Sequence, residues 1–321
     1  MKEYDLNGKD AKMLKGYPVL KKKGVVSPYG EMTPFVFKGK LMRLETIAVD
    51  NCTDTRNDSI QQGHFIIRDV ESGKIVSRAG YGSFFFDAYV ENDHVYVLGT
   101  LSNSKEGWYG GDTVMLFESD DLITWTQRVF WHKKGYVIYN HSLTKDDEGY
   151  AFMIEISKPR RLAGKIPFTF LFTKIKDLNH VEFHKPKKTA FPIGRYGGGP
   201  KMHYVNGWYY FLYLEEFPGP IYATYIVRTK DFENWTFGKY NPFLIASNED
   251  FTVSPDAADI TDEMREHIKT MYNSNASDPD FCEYKNKVII DYGSGNQVGQ
   301  SYICEAEYDG TLQEMLENFF L

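Results

Sequence analysis

The sequence contains little cysteine, no long apolar run and little clustered positive charge, and each shortage excludes a class of protein. Among 321 residues there are three cysteines, Cys52, Cys282 and Cys304. They lack the spacing of metal ligands and suit a reducing compartment, where buried thiols act as small apolar residues. No apolar run reaches the length of a membrane span, which takes about 20 residues. A cysteine-based metal site and a membrane-spanning protein are therefore not expected.

Positive charge is scarce and dispersed. Lysine and arginine number 37 against 44 aspartates and glutamates, for a net charge of -7, and the one basic cluster is Lys21–Lys23. A nucleic-acid surface needs a basic patch, so we expect no nucleic-acid partner. The N-terminal segment has no apolar core of the kind found in signal peptides. The sequence therefore predicts a soluble, cytoplasmic protein without a membrane partner.

Aromatic residues, in contrast, are abundant and accompany a repeated hairpin pattern. They make up 16% of the chain, with 23 Tyr and 23 Phe, which favours strand-rich packing. Five stretches place alternating apolar residues on either side of a tight polar break, as in a β-hairpin. Their start-to-start spacings are 54, 53, 59 and 81 residues, and the starts are Thr33, Asp87, Asn140, Gly199 and Asp280. Regular spacing of this kind indicates a repeat architecture.

A second motif, Asp-apolar-x-x-Trp, runs in phase with the hairpins. It occurs at Asp121–Trp125 and Asp231–Trp235, with degraded copies starting at Asp177 and Asp69. We interpret it as the turn between the third and fourth strands of each unit. In that turn the aspartate bonds local amides and the tryptophan packs on the sheet.

Five units of about four short strands predict an all-β fold, a five-bladed β-propeller with four-stranded antiparallel blades around a central channel. We expect one domain over residues 1–321, in which about 1–30 form a lead-in and closing strand. About 248–272 form an insertion with a short helix near Thr261–Ile268, before the fifth blade. A β-sandwich, the alternative, does not explain the regular spacing.

The repeat places polar residues around one rim of the channel. Hairpin partners end at the same rim, so Asp280 and Asp291 should lie side by side. The ends of the five second strands are Glu45, Thr100, Glu155, Glu215 and Asp291. Carboxylates that converge on a channel mouth repel one another and shift their pKa values, as in many active sites. The alternative for any single acid is a turn, cap or solvent-exposed strand end.

With these strand starts and turns, the chain resembles the five-bladed β-propeller glycosidases. These include the arabinanase/β-xylosidase family, the fructosidases, the mannoside phosphorylases and the anhydro-galactosidase family. The resemblance covers about residues 25–308. It rests on the strand starts Thr33-Pro34, Asp87-Ala88 and Gly199-Pro200, the Asp-Leu-x-x-Trp turns, and Asp278-Pro279-Asp280 with 292–297. The last pair is most similar to the anhydro-galactosidase branch.

The chain departs from this resemblance at the catalytic positions. In the arabinanase/xylosidase family the first blade starts with the general-base aspartate, and here that position is Thr33. The general-acid glutamate of that family precedes a Gly-Pro in the fourth blade, and here that position is Gly198. Only the second-blade aspartate, which tunes the pKa of the acid in that family, has a match, at Asp87.

The catalytic pair must therefore be chosen from the local ring of acids. Glycoside hydrolysis needs one group that protonates the leaving oxygen and another that activates water or attacks the sugar. We expect Asp87 and Asp280 as base, nucleophile or pKa modulator, and Glu155 or Glu215 as acid, with Glu45 next. A histidine, His141 or His64, is an alternative acid, as the anhydro-galactosidase resemblance implies, although a lone histidine is more often structural.

Further residues are expected to bind the carbohydrate substrate. The candidates from the rim and its loops are Glu45, Trp108, Asn140, His141, Arg195, Asp278, Asp291, Asn296 and Gln297. Arginines at 56, 160, 161 and 195 would suit an anionic sugar if one points into the pocket. Asp50, Asp54 and Asp58 lack the spacing of a calcium loop, so no metal site and no cofactor are expected. A structural divalent cation in the channel is left open.

These observations predict a glycoside hydrolase. We expect exo action on short oligosaccharides or glycosides of furanoside, xyloside or galactoside type. A glycoside phosphorylase on the same fold and a non-catalytic carbohydrate-binding propeller are the alternatives. The oligomeric state is left open. The apolar helical stripe of residues 312–321 is expected to pack on its own domain, as such stripes more often do, rather than on a partner.

Overall fold

Five antiparallel sheets arranged as blades form the fold, which confirms the predicted five-bladed β-propeller. The computed structural model describes residues 16–47, 63–102, 110–164, 168–183, 186–192, 195–219, 221–296 and 301–321. Blade 1 comprises β2 Gly30–Phe37, β3 Lys40–Ile47, β4 His64–Asp69 and β5 Ile75–Ala79. Blade 2 comprises β6 Ser83–Glu91, β7 His94–Leu101, β8 Thr113–Ser119 and β9 Thr126–His132. Blade 3 comprises β10 Val137–Asp146, β11 Gly149–Lys158, β12 Thr169–Ile175 and β13 Lys187–Lys188.

The last two blades depart from the simple four-strand order. Blade 4 contains β14 Gly197–Val205, β15 Trp208–Phe217, β16 Ile221–Thr229, β17 Thr236–Phe237 and a short β18 Leu244–Ile245, which also pairs with β16. Blade 5 contains β19 Ser277–Tyr284, β20 Lys287–Gly295 and β21 Ser301–Asp309. Its outer strand is β1, Lys21–Ser27, which runs antiparallel to β21. The first strand of the described chain thus completes the last blade and closes the ring.

Helices are few and short within the described ranges. They are α1 Arg160–Ala163, a 3-10 turn Asn248–Phe251, α2 Asp262–Thr270 and α3 Leu312–Asn318. The Thr261 hydroxyl caps α2 by accepting a hydrogen bond from the Met264 amide at 3.2 Å. In α3, Met315 and Leu316 are buried against blades 4 and 5. No described helix has the length and apolar character needed to cross a membrane.

The interpretation of the Asp-apolar-x-x-Trp motif as a turn is confirmed. In the β8–β9 connection, Asp121 Oδ1 accepts hydrogen bonds from the amides of Ile123 at 2.8 Å and Thr124 at 2.7 Å. The Trp125 indole donates to Ser77 Oγ of blade 1 at 2.8 Å. Asp231 repeats the same bonds in blade 4. The motif therefore shapes the outer turn of one blade and anchors it to its neighbour.

The pairing register of the first two strands in each blade shows that the predicted strand starts are not all equivalent. Each inner strand carries a β-bulge near its start, and the extra residue hides the true alignment from simple spacing. Four residues before the last paired residue of each inner strand, the equivalent positions are Thr33, Asp87, Ser142, Lys201 and Asp280. Asn140 and Gly199, the predicted starts in blades 3 and 4, each lie two residues before the corrected positions Ser142 and Lys201. We call the five corrected residues the inner ring.

Inner-ring side chains join successive blades. Thr33 Oγ1 accepts a hydrogen bond from the Ala88 amide at 3.4 Å, and Asp87 Oδ2 accepts one from the Leu143 amide at 3.1 Å. The third bond of this type runs from the Met202 amide to Ser142 Oγ, at 3.2 Å. At the junction of blades 5 and 1 the equivalent of Ala88 is Pro34, which has no N–H to donate.

Buried ion pairs hold blade 5 to blade 1. The Arg43 guanidinium contacts Asp291 at 2.6 and 3.0 Å and Glu305 at 2.7 Å. Beside it, Glu45 accepts hydrogen bonds from Arg68 at 2.8 and 3.2 Å. The Arg43 contacts cross from one end of the chain to the other, so they stabilise the closed ring.

Candidate active site

Three carboxyl groups from different blades meet at the end of the channel where the inner strands begin. Glu31 is in the bulge of β2, Asp278 in the bulge of β19, and Glu155 in the second strand of blade 3. The charges of Asp278 and Glu155 both raise the pKa of Glu31, and Asp278 raises that of Glu155. We call these three residues the mouth cluster.

Glu155 is the most deeply buried member of the mouth cluster, at 1% exposure. Its Oε2 accepts hydrogen bonds from the Asn140 side-chain amide at 2.7 Å and from the Asn140 backbone amide at 3.3 Å. Its Oε1 has no hydrogen-bond partner among the described residues. Burial raises the pKa of Glu155 to about 8, an effect that Asn140 opposes and the charge of Asp278 reinforces. Glu155 therefore carries a proton at neutral pH and presents one oxygen that no described residue uses.

A run of three glycines makes room for these carboxyl groups. A Cβ on Gly198 would stand 3.2 Å from Glu155 Oε1 and 3.2 Å from the Tyr196 hydroxyl. On Gly199 it would stand 2.5 Å from Asp278 Oδ1, and this residue also has a φ of +54°. Both residues are thus constrained to be small by the acids they touch.

Glu31 and Asp278 are partly exposed, and both sit in backbone conformations with positive φ, 47° and 51°. Burial and the charges of Asp278 and Glu155 raise the pKa of Glu31, whereas Lys201 and the Phe85 amide lower it. Burial also raises the pKa of Asp278, against a hydrogen bond from Ser277 and the charge of Lys201. Lys201 therefore acts on both residues.

Below the mouth cluster, three inner-ring residues form a buried ionic group with a histidine. Lys201 Nζ bonds Asp87 Oδ1, lies 3.0 Å from Asp280 Oδ2 and lies 3.3 Å from Thr33 Oγ1. His203 Nε2 contacts Asp280 Oδ1 at 2.8 Å. We call Asp87, Lys201, Asp280 and His203 the channel cluster.

The channel cluster keeps Lys201 and Asp280 charged. Burial alone would lower the pKa of Lys201, but the adjacent Asp280 and Asp87 raise it above its ordinary value. Burial would likewise raise the pKa of Asp280, yet Lys201 and His203 outweigh burial and lower it. Asp87 and Asp280, the predicted base candidates, thus lie side by side in an ion-paired layer beneath the mouth.

His141, the alternative acid, is buried at 2% exposure. Neither ring nitrogen has a hydrogen-bond partner among the described residues. Burial, with the nearby charge of Lys201, lowers the pKa of His141 to about 3. At neutral pH the imidazole is therefore uncharged, and it is not in the imidazolium form that a general acid needs.

The remaining predicted carboxylates lie outside the mouth cluster. Glu215 accepts a hydrogen bond from the Tyr213 hydroxyl at 2.9 Å and pairs with Arg195 at 3.2 Å. Glu45 and Asp291 belong to the ion pairs of blades 1 and 5, although Asp291 does lie directly opposite Asp280, as expected. We therefore leave these three acids out of the proposed catalytic group.

Other predicted binding residues are dispersed. The Arg195 guanidinium lies over the Phe217 ring at 4.8 Å, and the Asn296 amide donates to the Tyr272 carbonyl at 3.3 Å. His64 stacks on Tyr81 with 4.8 Å between ring centroids. Outside the described residues lie Trp108, Gln297, Arg56, Asp50, Asp54 and Asp58. Within the described part of the chain, no group of three or more His, Cys, Asp or Glu residues is placed to hold a metal ion.

An arc of aromatic rings flanks the mouth cluster from blade 2 to blade 4. Ring centroids are 5.6 Å apart for Phe85 and Tyr139, and 4.5 Å for Tyr139 and Phe168. The contacts continue from Phe168 to Tyr196 at 5.4 Å and from Tyr196 to Tyr222 at 6.1 Å. Tyr196 adjoins the glycine run beside Glu155. Aromatic rings in this place offer an apolar surface next to the acids.

Sequence reasoning missed two charged residues of this region, Glu31 and Lys201. The signal for Lys201 is its distance from the turn Asn206-Gly207, which matches the distance of Asp280 from its own turn. Glu31 has a weaker signal, since it occupies in blade 1 the bulge position that Asp278 occupies in blade 5. Aligning the hairpins on their turns would have identified both.

Comparison with known proteins identifies the architecture. No protein-family model and no curated protein match the sequence. Among solved structures, a complex of BT0996 with RGII has a TM-score of 0.60 at 12% identity, and the match covers 94% of this protein and 96% of BT0996. The catalytic domain of the Coprinopsis cinerea GH62 α-L-arabinofuranosidase has a TM-score of 0.57 at 10% identity, covering 91% and 97%.

A third similar structure is the native arabinanase of Bacillus subtilis. Its TM-score is 0.54 at 11% identity, and the match covers 89% of this protein and 96% of the arabinanase. At such identities the likeness extends to the fold and not to individual residues, and the likeness to the anhydro-galactosidase branch stays a prediction. The chain therefore has the five-bladed propeller fold of glycoside hydrolases such as this arabinanase and the GH62 arabinofuranosidase.

Proposed function

We propose that this protein is a glycoside hydrolase whose mouth cluster carries out the reaction. One observation carries the proposal: Glu155 is buried, has a pKa of about 8, and turns an oxygen without a described partner towards the glycine run beside Asp278. Perturbed carboxyls gathered at a channel mouth are typical of acid–base sites. Two carboxyl groups in opposite protonation states are what glycoside hydrolysis requires.

The roles follow from the charges around each group. Glu155, protonated at neutral pH, donates its proton to the glycosidic oxygen as the bond to the leaving group breaks. Burial raises the pKa of Asp278, and a Ser277 hydrogen bond and the charge of Lys201 oppose this rise. We assign Asp278 as the base or nucleophile. Burial and the charge of Asp278 raise the pKa of Glu31, and we assign Glu31 as a hydrogen-bond donor to the sugar or to water.

The burial of Glu155 also bears on which substrates the site accepts. A nearly inaccessible acid at the end of a channel reaches a chain terminus more readily than the middle of a polymer. This supports exo action on short oligosaccharides or glycosides, of furanoside, xyloside or galactoside type. The aromatic arc supplies an apolar surface for one face of the sugar.

The test is hydrolysis of a panel of aryl glycosides and short oligosaccharides by three variants. Glu155→Gln and Asp278→Asn should each lower kcat/KM by about 10²- to 10⁴-fold, the usual contribution of a general acid or base. Glu215→Gln is the matched control, because it removes a blade 4 carboxylate that already pairs with Arg195. It should retain most of the wild-type activity.

Two further outcomes separate the alternative functions. Turnover that depends on inorganic phosphate and yields a sugar phosphate would identify a phosphorylase. Sugar binding by calorimetry without turnover of any panel member would identify a carbohydrate-binding propeller. Hydrolysis without phosphate, lost in Glu155→Gln, supports the proposed function.

A further inference from the structure

Lys201 departs from the hydrogen-bonding pattern by which inner-ring side chains join successive blades. At the inner-ring position, Thr33, Asp87 and Ser142 each accept a hydrogen bond from a backbone amide of the next blade. A lysine ammonium has no acceptor and cannot do this. The corresponding amide, that of Phe281, is satisfied by Asp280 Oδ1 at 2.8 Å. Joining blade 4 to blade 5 therefore does not explain a lysine at this position.

The surroundings of Lys201 point to an electrostatic task. Its side chain is 9% exposed, and Asp87 and Asp280 fix its ammonium in the channel. In the described part of the chain, the titratable groups that it influences are acids and a neutral histidine. These groups are Asp87, Asp280, Glu31, Asp278 and His141. His203 contacts Asp280 and helps to lower its pKa.

The strands place Lys201 next to Asp278. Lys201 is two residues beyond Gly199, whose Cβ position is 2.5 Å from Asp278 Oδ1, and its ammonium lies 3.0 Å from Asp280, two residues beyond Asp278. Its charge favours the charged forms of Asp278 and Glu31, whereas the pKa of Glu155 is governed by burial, Asn140 and Asp278. A base needs a negative charge and an acid needs its proton, so an unequal effect is what an acid–base pair requires.

We propose that Lys201 is a positioning residue of the active site, an internal cation held by Asp87 and Asp280 that favours the carboxylate form of Asp278 at the channel mouth. This inference rests on the proposed function. It also gives the channel the positive charge that a bound cation would otherwise supply, so that the chain provides its own counter-ion for Asp87 and Asp280.

The test compares pH profiles of kcat/KM for the wild type and Lys201→Met. Without the ammonium, the acid limb should move to higher pH by about one unit, the lower end of the about 1–3 units by which a nearby opposite charge shifts a carboxyl pKa. The alkaline limb, set by Glu155, should stay within about 0.3 unit of its wild-type position.

Lys22→Met is the matched control. The Lys22 side chain is 10% exposed and lies 2.9 Å from the buried Asp250, but it belongs to the outer strand of blade 5. Its loss should lower stability and leave both limbs in place. A variant of Lys201 that lowers stability as Lys22→Met does, with both limbs unmoved, would overturn the proposal.

A double variant and an NMR titration cover the cases in which Lys201→Met does not fold or the wild type hydrolyses nothing. If Lys201→Met does not fold, Lys201→Met with Asp87→Asn removes the paired charges together, and the acid limb should still move upwards, compared with Asp87→Asn alone. If the wild type hydrolyses nothing on the panel, the proposed function fails, but ¹³C NMR titration of the Asp278 carboxyl still decides the role of Lys201. An upward shift of that titration in Lys201→Met supports the inference, and an unchanged titration contradicts it.

Discussion

Glu155 Oε1 lies 3.2 Å from the point where a Cβ on Gly198 would stand. Gly198 itself bears no side chain, and the carboxyl group of Glu155 reaches from blade 3 into the space beside it. The small residue at position 198 and the buried acid at position 155 are thus two parts of one arrangement.

This contact predicts the effect of Gly198→Ala. The added methyl group meets Glu155 and the Tyr196 hydroxyl at a distance tighter than ordinary contact, so it should displace the acid by a few tenths of an ångström or more. Small misplacement of a catalytic group costs up to about 10²-fold in rate, so kcat/KM should fall by about 10- to 100-fold. The backbone φ of Gly198 is acceptable for alanine, and the melting temperature should change little. Wild-type kinetics in a folded Gly198→Ala protein would show that the acid does not occupy this space.

His141 predicts a specific dependence of stability on pH. Its pKa of about 3 in the folded protein is below the ordinary value of 6.5, so the unfolded state binds a proton more readily between these values. The His141 contribution to stability is complete above pH 6.5 and is lost as the pH falls towards 3, by up to about 1.4 kcal/mol per pH unit. Urea unfolding of His141→Leu should show a flatter decline between about pH 6 and 4 than the wild type. If the unfolding free energies of the wild type and His141→Leu fall in parallel, the pKa of His141 is not lowered, and the imidazole has a hydrogen-bond partner that stabilises its protonated form.

Ring closure predicts the effect of Arg43→Met. The substitution leaves Asp291 buried without its partner, which should cost about 3–5 kcal/mol of unfolding free energy. Adding Asp291→Asn should restore part of that loss. Lys21→Met, which removes an exposed pair with Asp309, is the control and should cost far less. Equal losses from Arg43→Met and Lys21→Met would mean that the buried pairs do not hold blade 5 to blade 1.

The internal ammonium of Lys201 predicts that divalent cations are dispensable. Because Asp87 and Asp280 already have a counter-ion, incubation with a chelator should leave the melting temperature and the activity unchanged. Added calcium should have no effect on either quantity. A melting temperature that falls with chelator and recovers with calcium would contradict this account of the channel.

The fold was predictable because its signals are local and repeated. The Asp-apolar-x-x-Trp turns form by bonds within four residues, as at Asp121 and Asp231, and hairpin spacing reports one blade at a time. Glu155 was identifiable for the same reason, from its place near the end of a second strand.

The pairing of charges between blades was not predictable in the same way. Arg43 meets Asp291 across 248 positions of sequence, and nothing local shows which acid an arginine will neutralise. The bulges at Glu31 and Asp278 also change which residue faces the mouth without changing the repeat spacing. Lys201 was missed because the predicted start of the fourth inner strand, Gly199, is two residues too early, so that Lys201 was not aligned with Asp87 and Asp280.

The central claim is that Glu155 is the general acid, and one experiment tests it most directly. The pH profile of kcat/KM should be measured for the wild type and Glu155→Gln on aryl glycosides of one sugar with good and poor leaving groups. The wild type should lose activity above a pH of about 8, the pKa of Glu155. In Glu155→Gln that alkaline limb should vanish, and the rate should fall most for the poor leaving groups, which need the proton. An alkaline limb that persists in Glu155→Gln, or an equal loss for all leaving groups, would contradict the claim.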